Sequence, residues 1–97
     1  MKAKEIFEDV LNTVSQHTGL NQADILTNRC AECTDARYIL VRYLQKLLPC
    51  PTVASLIGRT RQGVHSILAR QKSDTFWVES NWKEIVKQLE SKYFISK

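Results

Sequence analysis

Residues 50–71 read CPTVASLIGRTRQGVHSILARQ, and two small residues in that run decide the fold. Taking Cys50 as the first position of a twenty-residue helix-turn-helix frame puts Ala54 fifth, where the two helices touch and a large side chain would push them apart. Gly58 falls ninth, in the turn, where the backbone must go left-handed and glycine can follow it without steric cost. Val53, Ile57, Val64 and Ile67 then supply the apolar positions that lock the helices together. Thr52 is the expected N-cap of the first helix and Thr60 of the second. Pro49 and Pro51 end the preceding helix and confine the approach to the motif. An ordinary helical hairpin would also welcome small residues here, so the surrounding charge has to discriminate.

That charge is segregated. Residues 36–73 carry seven cations (Arg37, Arg42, Lys46, Arg59, Arg61, Arg70, Lys72) and no Asp or Glu, whereas residues 1–35 have a net charge of −3 and residues 74–97 balance to zero. The whole excess of +4 therefore arises around the motif, as expected of an electrostatic footprint for phosphates. The second helix is expected from about residue 61 to 71, with Val64, Ile67 and Leu68 facing inward and Thr60, Arg61, Gln62, His65, Ser66 and Ala69 outward. The N-terminus of a recognition helix enters the major groove, so Thr60, Arg61, Gln62, His65 and Ser66 are the base-edge candidates. Arg61 has the fork to pair with guanine O6 and N7, and Gln62 the amide to pair with adenine N6 and N7. Arg59, Arg70 and Lys72 suit the phosphate backbone, contributing affinity and salt dependence rather than sequence choice.

The rest of the chain predicts a single all-α domain over residues 1–97, built from about five or six helices. Ile6, Phe7, Val10, Leu11 and Val14 follow helical spacing between residues 3 and 17, and Gly19 is a natural stop. Asn21 caps a short helix through Ile25 and Leu26. Thr34 is expected to cap a long helix through Leu48 with Ala36, Ile39, Leu40, Tyr43, Leu44 and Leu47 buried, leaving Arg37, Arg42 and Lys46 on other parts of its surface. Ser80 or Asn81 should open a last helix carrying Trp82, Ile85, Val86, Leu89 and Tyr93, with Phe76 and Trp77 pinning its approach to the core. Residues 1–4 are not followed by a signal-type apolar run and no stretch approaches a membrane span, so a cytoplasmic, membrane-free chain is expected.

With these segments in view, the chain resembles the C-terminal DNA-binding domain of the bacterial DnaA replication initiators, of the Trp-repressor-like group of helical folds. The likeness spans residues 10–71. It is carried by GLNQADILTNR (19–29), by DARYILVRYL (35–44), where the family has an Ala-Arg-Gln-Ile-Ala-Met-Tyr-Leu-like helix, and by CPTVASLIGRTRQGVHSIL (50–68) in place of its helix-turn-helix. The resemblance implies double-stranded DNA as the partner. It also adds two backbone or minor-groove candidates, Arg29 at the position of the family's basic-loop arginine and Arg37 at the arginine of the following long helix. The family's signature Gly-Gly-Arg-Asp-His-Thr-Thr-Val is replaced here by Gly58-Arg59-Thr60-Arg61-Gln62-Gly63-Val64, so the initiator's target sequence does not carry over. No phosphate-binding Gly-x-x-x-x-Gly-Lys-Ser/Thr loop is present, and a small regulatory or replication-associated module, such as a mobile-element accessory protein, is expected in place of an initiator ATPase.

Catalysis finds little support. His17 and His65 are the only histidines, and neither sits at a spacing that pairs it with a nucleophile. No enzyme activity and no cofactor are expected. Cys30 and Cys33 form a Cys-x-x-Cys unit, the sharpest rival signal, but a closed zinc site needs four ligands and only Cys50 remains. A thioredoxin-like redox pair would follow a strand, and no strand is expected here. Two alternatives to DNA binding stand beside it: an interaction module or homodimer using the aromatic C-terminal helix (Trp77, Trp82, Tyr93, Phe94), and a Cys30/Cys33 zinc or thiol switch.

Overall fold

The computed structural model describes residues 2–69 and 75–93, which form six helices and no strand. Helix α1 (Ala3–Thr18) buries Phe7, Val10, Leu11 and Val14 along one face. It stops at Gly19, whose φ of 76° lets its N–H turn back to the Ser15 carbonyl. Helix α2 (Gln22–Thr27) is capped as expected, with Asn21 Oδ1 accepting from the Ala23 N–H at 2.8 Å, and it inserts Ile25 into the core.

Helix α3 (Ala31–Leu47) starts earlier than Thr34. Its cap is Cys30, whose Sγ accepts from the Cys33 N–H at 3.3 Å, while Asn28 Oδ1 accepts from the Cys30 N–H at 2.9 Å and sets the angle of approach. Thr34 thus lies within the first turn, because a sulfur has taken the role usually given to oxygen. Ala36, Ile39, Leu40, Tyr43 and Leu44 are buried and Leu47 is half-buried, but Cys33, Asp35, Arg37 and Val41 are buried too. The extra burial follows from position: α3 is the central helix, with α1, α2, α4, α5 and α6 all packed on it. Arg37 is accordingly not a surface residue.

The helix-turn-helix is α4 (Cys50–Ile57) followed by α5 (Arg61–Ala69), packed on each other and on α3. Pro49, rather than Thr52, occupies the N-cap of α4, and Pro51 sits in the first turn, where a missing N–H costs nothing. Gly58 has φ 71°; its N–H bonds to the Ser55 carbonyl and the Arg59 N–H to the Ala54 carbonyl, a Schellman closure that reverses the chain. Ala54 is 5% exposed at the crossing, beside fully buried Val53 and Val64. Thr60 caps α5 as expected, its Oγ1 accepting from the Gly63 N–H at 3.0 Å. The expected continuation of α5 through residues 70 and 71 lies outside the described residues.

Helix α6 (Thr75–Tyr93) begins about a turn and a half before Ser80 and Asn81. Val78 is fully buried and extends the apolar stripe upstream of Ile85 and Leu89. Asn81, instead of capping, donates from Nδ2 to the Trp77 carbonyl within the helix. Trp77 packs at the core margin, whereas Phe76 is 83% exposed and pins nothing. Trp82 is wedged against α3, 4.2 Å beneath the Arg42 guanidinium and edge-on to Tyr43 with ring centroids 6.1 Å apart. At the far end Tyr93 donates to Asp9 Oδ2 at 2.5 Å and Lys92 pairs with the same carboxylate, which ties α6 to α1. No helix among the described residues is long and apolar enough to cross a membrane.

Candidate functional site

The fold divides the seven cations of residues 36–73. Arg42 and Lys46 face α6, where they cover Trp82 and approach Glu79 and Glu90, each at 3.8 Å. Arg37, 5% exposed, is aimed at the end of α2: its Nε donates to the Ile25 carbonyl at 2.8 Å and its Nη2 to the Asn28 carbonyl at 2.6 Å. Arg59 reaches the same helix end from the turn, donating from Nη2 to the Leu26 carbonyl at 3.2 Å. The last carbonyls of a helix lack intrahelical partners and carry partial negative charge, so two guanidinium groups satisfy them and fix α2 against α3 and the turn.

The two arginines are not used up by that clamp. Arg37 and Arg59, together with Arg29, Thr27 and Thr34, line an open hollow of about 420 Å³. A second hollow of about 540 Å³ continues from Arg37 and Arg59 along α5 past Gly63, Ser66, Ile67 and Ala69. Among the described residues no carboxylate lines either one. Arg29 comes from the acidic N-terminal third of the chain and joins the cationic surface only because α2 and α3 meet there.

Gly63 shapes this surface in a way its place in the sequence did not reveal. A Cβ at this position would lie 3.3 Å from Arg59 Cβ and 3.4 Å from Thr60 Oγ1, so glycine lets the Arg59 side chain lie close over the first turn of α5. A glycine three residues after a capping threonine was the available signal. Thr27 and Thr34 also line the hollow without having been read as site residues.

Beyond Arg59, the base-edge candidates Thr60, Arg61, Gln62, His65 and Ser66 are all exposed. Arg61 and Gln62 occupy the first turn of α5, and Ser66 borders the second hollow. His65 leans toward the start of α4, its Nε2 3.9 Å from Cys50 Sγ. Arg70 and Lys72 lie outside the described residues. Of the aromatic set suggested for a partner, Trp77, Trp82 and Tyr93 pack against the core, and Phe94 is outside the described residues. No protein-family model, curated protein or solved structure matches this chain.

Proposed function

We propose that this chain binds double-stranded DNA in a sequence-specific manner, with α5 as the recognition helix. The observation that carries the reading is the adjacency of the Arg29, Arg37 and Arg59 hollow to the exposed first turn of α5. A duplex needs both elements from its partner: cations that neutralise phosphate and set the register, and side chains that reach base edges beside them. Arg29 and Arg59 take the backbone role, and Arg37 holds the surface they stand on while presenting charge to the same hollow. Arg61 and Gln62 then enter the major groove, with Thr60, His65 and Ser66 flanking them.

The resemblance to DnaA-type domains supports the same assignment and extends it to a small regulatory or replication-associated role. Because the Gly-Arg-Thr-Arg-Gln-Gly run is this chain's own, its target differs from the initiator's. Selection from a pool of random duplexes, followed by footprinting of the enriched sequence, tests binding and specificity together. An enriched motif protected over one turn of major groove is the expected result; recovery of unenriched sequence argues for backbone attraction alone.

A further inference from the structure

The Cys-x-x-Cys pair plays no part in the proposed DNA interface. Cys30 is exposed and is the N-cap of the 17-residue α3, while Cys33, one turn on, is 2% exposed. The Cys33 N–H donates to Cys30 Sγ at 3.3 Å. Among the described residues no strand precedes the pair. Yet what the chemistry needs from a strand is only that it deliver the first cysteine to a helix N-terminus, and the short Asn28-anchored turn does so here.

We propose that Cys30 and Cys33 form a thiol–disulfide exchange site for anionic low-molecular-weight disulfides, with Cys30 attacking and Cys33 resolving. Exposure makes Cys30 the sulfur that a small disulfide can reach, and its place at the N-terminus of α3 sets its Sγ against the Cys33 N–H. Cys33 lies one turn further along the helix, with its own N–H already 3.3 Å from the Cys30 sulfur. Burial, the hydrogen bond to Cys30, and the charges of Cys30 and Asp24 push the Cys33 thiol up to about 11 against the pull of Arg37. It is thereby withheld from solvent reagents until Cys30 has reacted. The anionic class follows from Arg29 and Thr34, which flank the pair in sequence and line with Arg37 and Arg59 a hollow that, among the described residues, no carboxylate lines.

The exchange balances with the small disulfide as oxidant. The Cys30 thiolate attacks one sulfur of that disulfide, its S–S bond breaks, and the expelled thiolate takes up the proton that Cys30 had lost. Cys33 then gives up its proton and attacks the Cys30 sulfur, closing the Cys30–Cys33 bond and releasing the second half as a thiol. Two protein thiols are oxidised and one small disulfide becomes two thiols.

The test needs no DNA. The reduced chain is mixed with glutathione disulfide, quenched with an alkylating reagent at intervals and mapped by peptide mass. The expected product is a loss of two hydrogens within the peptide spanning residues 30–33, with Cys50 still alkylated and no lasting glutathione adduct. Cys33→Ser should retain glutathione on Cys30, and Cys30→Ser, which keeps a good N-cap, should leave Cys33 unreactive while circular dichroism stays helical. Glutathione disulfide should react several-fold faster than the cationic cystamine, and Arg29→Gln should remove that advantage. A stable glutathione adduct on wild-type Cys30, oxidation of Cys50 ahead of the pair, or equal rates with cystamine would overturn the proposal.

Discussion

Arg61 and Gln62 stand exposed on the first turn of α5, and Arg59 lies across that turn toward α2. These positions give them separable roles. Arg61→Ala or Gln62→Ala should cost roughly 1 to 3 kcal/mol on the preferred duplex by removing a bidentate base contact, while leaving the melting temperature close to wild type. Competition binding with single-base variants checks this: specificity should relax at one position for each substitution, and unchanged discrimination in both excludes the docking. Arg59→Ala should instead weaken every duplex about equally and reduce the slope of log K against log salt by about 1. A loss confined to one sequence would place Arg59 at a base edge. Arg37 shows what charge counting leaves out, since a sequence displays a cation but not the carbonyls of Ile25 and Asn28 that it will meet.

Within the elements, the motif depends on one backbone conformation and one close approach. Gly58 is left-handed at φ 71°, and Ala54 is buried where α4 crosses α5. Gly58→Val should destabilise the fold by at least about 1 to 2 kcal/mol, because a β-branched residue strains in this region, and Ala54→Leu by about 1 to 3 kcal/mol through overpacking. Thermal melts and duplex binding should fall together in both, and wild-type melting in both would mean that Ala54 and Gly58 do not hold the α4–α5 turn. The frame was legible because its requirements are local: a small residue, a left-handed residue and an apolar rhythm each leave a mark at fixed spacing. Helix starts were less so. Thr52, Thr34 and Asn81 all have capping chemistry, but Pro49 and Cys30 took the caps of α4 and α3, and buried Val78 carried α6 upstream. In α6 the burial of Val78 outweighs the cap that Asn81 would supply, so tertiary packing sets that boundary.

Across the whole molecule, the ends of the described chain are joined at Asp9, where Lys92 and Tyr93 of α6 meet α1. Partial burial pushes the Asp9 carboxyl up, but the hydrogen bonds from Lys92 and Tyr93 outweigh it and hold the group below its ordinary value of 3.8. A carboxylate depressed on folding contributes stability that is fully present above the unfolded value and is lost as pH falls through the folded one. Denaturant melts should therefore show a loss below about pH 4 that Asp9→Asn removes, with that variant about 0.5 to 1.5 kcal/mol less stable at neutral pH. Parallel profiles for the two proteins would show that Asp9 is not depressed. The same scale explains what the site concealed: Arg29, Arg37 and Arg59 share one hollow only because α2 packs on α3 beside the turn, and no local pattern announces that meeting. Duplex affinity measured over a series of salt concentrations on the selected site tests the central claim most directly. With three to four phosphates neutralised, log K should fall against log salt with a slope of roughly −2.7 to −3.6, and a scrambled duplex should keep a similar slope at lower affinity. Absence of binding at low salt, or an affinity indifferent to salt, would contradict the account.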